Sequence, residues 1–231
     1  MTGVELKTAR SLSHWTQVEA AQRLGVTQAY LSMVESGARP VSSELAVNAL
    51  KVYRLPATAR PFDVSVADQP TEEFFKTALG ELGYPGFAYL KRRPSLNPAE
   101  LLLLALDTDD LDARVTEALP WLPFHFPELN WQWLTNESKL RDRQNRLAFV
   151  TALACEVAQE NADAALAATL QTCVAAMERS RLATEDTLCK ESMTKAERCW
   201  LRAHRSPLAA HWNLLTDLKR EDLRHVSETP A

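Results

Sequence analysis

The chain has 231 residues, room for one or two domains. Its apolar fraction is 46% and only 6 residues are Gly, a balance that favours helices around a sizeable core, because Gly costs a helix backbone entropy. The net charge of −4 excludes a uniformly basic chain but hides a split: residues 1–66 hold seven Lys/Arg against five Asp/Glu, a net of +2, and the remainder carries −6.

The first ten residues, MTGVELKTAR, lack the apolar core of a signal peptide, and the longest apolar run, Leu101 to Leu106, is too short to cross a bilayer. A soluble, cytoplasmic protein is expected, without membrane contact. Val4 to Leu12 predicts a first helix, with Val4, Leu6, Ala9 and Leu12 partly facing a core. Thr16 starts the second helix as N-cap, and Glu19 three residues later completes a capping box. Val18, Ala21 and Leu24 form its apolar face, and Gly25 ends it in a left-handed conformation. Thr27 caps a third helix, Gln28 to Ser36. Leu31 and Val34 face inward, Gln28, Ala29, Ser32 and Met33 face outward, and Gly37 closes it. A fourth helix begins at Ser42 or Ser43 and offers Leu45, Val47, Leu50 and Val52 for packing.

Arg10, Thr16-Gln17, Ala21, Leu24-Gly25-Val26, Leu31-Ser32, Glu35, Gly37 and Arg39-Pro40 together resemble the Cro/C1-type (XRE-like) helix-turn-helix of phage repressors and their bacterial relatives. The resemblance covers about residues 4–55. It implies that the third helix enters the major groove, where Gln28, Ala29, Ser32 and Met33 face base edges. Gln28 suits bidentate bonding to adenine and Ala29 suits a thymine methyl. Gln17 contacts phosphate and braces Gln28, while Thr27 and Arg39 are phosphate-contact candidates. Arg10 and Glu35 are expected to form an internal salt bridge tying the first helix to the third. The partner implied is double-stranded DNA with two-fold related half-sites, bound by a homodimer.

Arg54 to Gln69 contains two prolines and several small residues and reads as a linker. The expected organisation is a DNA-binding domain at 1–60, a linker at 61–70, a helical dimerisation, partner- or effector-binding domain at 71–226, and a frayed tail at 227–231. Thr71 caps a helix containing Phe74, Phe75, Ala78, Leu79 and Leu82; Asn97-Pro98-Ala99-Glu100 opens another. A helix is expected from Asp110 to Leu119. Residues 121–134, WLPFHFPELNWQWL, look too irregular for one, and their aromatics read as core, or else as a partner surface or pocket. A long helix from Ser138 to about Gln159 should bury Leu140, Leu147, Val150, Leu153, Ala154 and Val157. Ala162 to Arg181, a helix opened by Thr194, and Leu208 to Leu218 complete the series, with no strand ladder. The fold class is therefore all-α: a head of four to five helices and a larger helical domain, either an irregular bundle or a solenoid-like stack.

Other candidate chemistry is weak. Cys155, Cys173, Cys189 and Cys199 form no CxxC pair and read as reduced, buried thiols. Asp107, Asp109, Asp110 and Asp112 lack the glycine and distant Glu of a calcium loop and read as capping residues. Lys91-Arg92-Arg93 reads as a solvated turn, and His204 and His211 as packed histidines beside Trp200 and Trp212. No catalytic constellation, cofactor motif or metal spacing is found, so no enzyme is expected. The resemblance implies a sequence-specific transcriptional regulator, with repression the expected direction. Two forms stay open for the C-terminal domain. One is an antitoxin-like autorepressor that binds a toxin or other operon partner. The other is a one-component regulator that binds a small molecule. A head that has lost DNA binding and serves as a protein module is a further rival.

Overall fold

In a computed structural model, residues 1–62, 70–90 and 96–228 are described. The chain divides into two compact units, Met1–Val64 and Ser65–Ala231.

The first unit contains α1 (Gly3–Leu12), α2 (Gln17–Leu24), α3 (Gln28–Glu35) and α4 (Ser43–Val52), followed by a 3-10 turn at Ala57–Ala59. Side-chain caps mark every helix start. Thr2 and Thr16 close capping boxes with Glu5 and Glu19, and Thr27 and Ser42 accept from Tyr30 and Leu45 amides. Gly25 ends α2 at φ 71°, where a side chain would be strained. Gly3 serves a close approach: a Cβ there would lie 2.0 Å from the Val34 carbonyl oxygen at the end of α3. The core is built on Leu6, Ala20, Ala21, Leu24, Leu31, Val34, Leu45 and Ala49.

Three apolar residues expected to face that core do not. Val4 is 70% exposed, Leu12 76% and Val18 56%. Of the face expected on α1 only Leu6 and Ala9 are buried, and on α2 the small, close-packing Ala20 joins Ala21 and Leu24 in place of Val18. In α4 the buried face is Leu45, Ala46 and Ala49; Val47, Leu50 and Val52 are half-buried.

The second unit is organised around α10 (Gln144–Glu160), in which all but three of seventeen residues are buried. Around it lie α6 (Pro98–Asp107), α8 (Trp121–His125), α9 (Trp131–Leu140), α11 (Ala164–Glu178) and α13 (Pro207–His211). Outside these are α5 (Glu72–Leu82), α7 (Ala113–Ala118) and α12 (Lys195–His204). One helix contacting non-consecutive neighbours makes an irregular bundle, whereas a solenoid repeat touches only the next repeat. Thr71, Asn97 and Thr194 cap α5, α6 and α12, and Pro98 occupies the first turn of α6.

Several sequence expectations are corrected. The helix at 110–119 is shorter, because Asp112 caps α7 at the Arg114 amide. Residues 121–134 are more regular than their prolines suggest, since Asn130 caps α9 at the Trp133 amide. The long helix therefore does not start at Ser138. The chain breaks between α9 and α10 at Asp142, whose φ is 56°, and Leu140 is left 79% exposed at the break. The last helix ends at His211; Leu214–Leu215 instead pairs in parallel with Asp186–Thr187 as two short strands, β1 and β2. The linker residues 63–69, the basic Lys91-Arg92-Arg93 and the tail residues 229–231 lie outside the described residues.

Polar groups at the start of α10 anchor the irregular chain that follows α11. Gln144 donates to the Ser180 carbonyl at 3.1 Å, and Asn145 exchanges two hydrogen bonds with the Leu182 backbone. Arg146, 1% exposed, forks onto Asp186 at 2.7 and 2.8 Å and donates to the Leu106 carbonyl at 2.8 Å. Asp186→Asn strands the buried guanidinium. It is expected to destabilise the second unit by about 3–5 kcal/mol, read as a lower urea midpoint for the full chain.

Candidate nucleic-acid interface

The turn between α2 and α3 presents the N-terminal half of α3 to solvent. Thr27, Gln28, Ala29 and Met33 are exposed, Ser32 and Gln17 are half-buried, and Arg39 is exposed beyond the end of α3, its amide bonded to the Met33 carbonyl at 3.1 Å. The inward residues of the same helix, Leu31 and Val34, have no exposed surface. The result is one helix face held by the core and one polar, small-residue face open to a partner.

Behind that face lies a continuous set of hydrogen bonds. Arg10 Nε donates to Glu35 Oε1 at 2.7 Å and Arg10 Nη2 to Oε2 at 3.0 Å, a bidentate pair between α1 and α3. Gln17 Nε2 donates to the same Oε2 at 2.9 Å, and Gln28 Nε2 donates to Gln17 Oε1 at 2.8 Å. Sequence reasoning placed Arg10 with Glu35 and Gln17 with Gln28, but missed the Glu35–Gln17 bond that joins the two pairs. Helical spacing carries no signal for it, because the partners lie on different helices.

The chemistry of this arrangement is directional. Glu35 is 6% exposed, so its carboxylate needs charge and donors to offset desolvation. Once both oxygens are engaged, the Gln17 amide is oriented with its oxygen toward Gln28. Gln28 then spends one amide hydrogen on Gln17. Its own carbonyl oxygen and second N–H stay at the exposed surface, the acceptor–donor pair that an adenine edge requires. At the start of α2, Glu19 accepts from the Thr16 amide at 2.8 Å and the Thr16 hydroxyl at 2.9 Å, which holds its carboxyl below the ordinary range.

Features outside the head contribute less. Asp107 and Asp109 are engaged by Arg143, Asp110 accepts from the Ser192 amide, and Asp112 holds Lys76 at 3.0 Å. Among the described residues no group of three His, Cys, Asp or Glu side chains is placed to hold a metal ion. Cys155 and Cys189 are buried, Cys173 is half-buried and Cys199 is exposed; all four are free thiols. Cys199 thus departs from the expected burial because it lies on the outer side of α12. His204 and His211 are also exposed, against expectation: His204 stacks on Trp200 with ring centroids 4.5 Å apart, and His211 meets Glu178 at 2.9 Å. In the aromatic segment Trp121 is buried, while Phe124, Phe126, Trp131 and Trp133 are half-buried. No helix among the described residues is long and apolar enough to cross a membrane.

Residues 3–61 match a protein family described as a helix-turn-helix domain, which supports a DNA-binding role for the head. No curated protein and no solved structure matches the chain.

Two stability outcomes follow from the geometry. Arg10→Ala leaves the buried Glu35 carboxylate without its cation and is expected to cost the head about 3 kcal/mol. Gln28→Ala, at an exposed position, is expected to stay within about 0.5 kcal/mol of the parent. Thermal melting with hydrogen exchange of the head amides checks both; equal losses would contradict the assigned roles. The lowered Glu19 carboxyl contributes stability that is present above the ordinary carboxylate range. That contribution is lost as pH falls through its folded value, so the protection of the first α2 amides should decline on acidification.

Proposed function

We propose that the protein is a sequence-specific DNA-binding transcriptional regulator that reads operator DNA through α3. The observation that carries this reading is the bond chain Arg10–Glu35–Gln17–Gln28, which presents a pre-oriented glutamine amide on an exposed helix face. Pre-orientation matters because a freely rotating glutamine loses side-chain entropy on binding. Gln28 and Ala29 read base edges in the major groove, with Ser32 and Met33 lining the same face. Thr27 and Arg39 position the head on phosphate. In this reading the helix-turn-helix head is of the Cro/C1 type, and repression is the outcome where it occupies a promoter. One head covers about half a two-fold site, so a homodimer is the binding form. In this reading the protein is a cytoplasmic binder and not an enzyme.

The second unit supplies dimerisation and the regulatory input. One form is an antitoxin-like autorepressor whose acidic second unit takes an operon-encoded protein. The small-molecule form has a specific observation in its favour: a cleft of about 1160 Å³ within the second unit, lined in part by Leu188, Met193, Trp200, Leu201 and Leu215. It is larger than an ordinary small-molecule pocket, and charged side chains such as Arg114, Glu117, Lys190 and Glu197 share its wall with the apolar ones, so a polar organic ligand is the class it would take. Thermal-shift screening against metabolites, set beside co-purification with the products of adjacent genes, separates the two forms.

Selection from a random double-stranded DNA pool, followed by gel shift, tests the central claim. A selected sequence should bind with an affinity that falls steeply with salt, by about 0.9 in log–log slope per phosphate contacted. Gln28→Ala should lose about 1–3 kcal/mol of discrimination at one base pair of each half-site. Failure of the pool to converge, with no salt-sensitive shift, would sink the regulator reading.

A further inference from the structure

The bond chain that ends at Gln28 has a second end. Arg10 uses its remaining arm, Nη1, to donate to the Trp15 carbonyl at 2.8 Å. Trp15 sits in the connection between α1 and α2, next to His14, whose φ of 57° marks a sharp turn. Its ring has two partners: the Arg23 guanidinium lies 4.1 Å from the ring centroid, and the Tyr53 ring lies 5.3 Å away at an interplanar angle of 35°. Tyr53 is the C-cap of α4, and its hydroxyl is buried with no hydrogen-bond partner among the described residues. Burial first, and then the nearby Glu35 carboxylate, push its phenol up. Its ring therefore packs close to the ion pair, while its hydroxyl contributes no bond.

We propose that Trp15 is a positioning residue for base reading by Gln28, held in place by Arg23 and Tyr53. Three acceptors define the plane of the Arg10 guanidinium: both Glu35 oxygens and the Trp15 carbonyl. Two of them belong to one carboxylate, which can swing with the guanidinium as a unit. Gln17 restrains the carboxylate at one end of this unit, and the Trp15 carbonyl restrains the guanidinium at the other. That carbonyl belongs to a short connection whose amides close onto the end of α1, Trp15 to the Arg10 carbonyl at 3.3 Å and His14 to the Ser11 carbonyl at 3.0 Å, and the Trp15 ring anchors that turn from its other side. Orientation then passes through planar groups, from guanidinium to carboxylate to the Gln17 amide to the Gln28 amide. Cation–π and ring–ring contacts of this kind add to the backbone bonds that hold the connection. The inference rests on the reading of Gln28 as a base-contacting residue.

The test uses the full chain and five variants: Trp15→Leu, Tyr53→Leu, Tyr53→Phe, Arg23→Ala and Ala49→Gly. Ala49→Gly weakens the same core, keeps the Ala49 carbonyl that accepts from the Tyr53 amide, and touches no side chain of the bond chain. One readout needs no DNA: the side-chain amide proton resonances of Gln17 and Gln28. Trp15→Leu and Tyr53→Leu should move both toward free-glutamine values, Arg23→Ala should do so less, and Tyr53→Phe and Ala49→Gly should leave them in place. The other readout is selectivity, the affinity ratio between the selected DNA and the same DNA changed at the base pair that Gln28→Ala ceases to read. That ratio should fall about fivefold or more for Trp15→Leu and Tyr53→Leu, and hold for Tyr53→Phe and Ala49→Gly. Unchanged amide signals in the Trp15 and Tyr53 variants overturn the proposal, as does an equal loss of selectivity in Ala49→Gly. Arg23 is exposed, so Arg23→Ala carries the test if Trp15→Leu does not fold. A parent protein that selects no DNA, with amide signals still responding, overturns the DNA role of Gln28 and supports its placement by Trp15.

Discussion

A carboxylate taken out of water must find its counter-charge inside the fold, and in the head of this protein that carboxylate is Glu35. Its two oxygens accept from Arg10 twice and from Gln17 once. Removing both charges for apolar groups could be nearly neutral in stability, because the attraction of a buried pair is offset by desolvation. What the pair supplies is a single arrangement. It ties the helix at the start of the head to the helix that faces outward, and it leaves the Gln17 amide one useful orientation. The apolar core of Leu6, Leu24, Leu31 and Val34 brings these helices together but is non-directional. Directionality comes from the polar chain laid over it.

The second unit solves a related problem by the same means. α10 is buried along nearly its whole length, so its polar residues at 144–146 must be satisfied internally. Asn145 and Arg146 meet that need, and Gln144 does so through its amide nitrogen, its buried carbonyl oxygen having no partner among the described residues; together they hold backbone and carboxylate groups at 180–186. In doing so they fix a segment with little regular structure of its own, and the short strand pair at Asp186–Thr187 forms there. A helix that reads as apolar core in one direction is thus a polar anchor at its end. The cleft of the second unit is bordered by Leu188, Cys189 and Lys190, which follow this anchored segment.

The two units differ in how legible they are. In the head, helix ends follow from caps within three residues of each other: Thr16 with Glu19, Thr27 with Tyr30, and Gly25 after Leu24. Such bonds are local, so residue type and spacing suffice to read them. In the second unit local signals were weaker guides. Prolines at 120, 123 and 127 suggested an irregular segment, yet two helices form there around them. An unbroken apolar pattern across 138–159 suggested one helix, yet the chain turns at Asp142.

By itself, the sequence determined that the chain is helical, that its first sixty or so residues form a helix-turn-helix head, and which residues face outward from α3. Those features rest on short-range caps and on the period of the apolar pattern. Only the tertiary structure decided which of several apolar residues are inside: Ala20 over Val18, and Ala9 over Val4 and Leu12. Close helix approach selects by shape, and hydrophobicity alone does not report shape. The tertiary structure alone also joined Arg10–Glu35 to Gln17–Gln28, and Arg146 to Asp186 forty residues later. A hydrogen bond between distant segments depends on where the backbone has already been carried. Sequence spacing therefore cannot announce it.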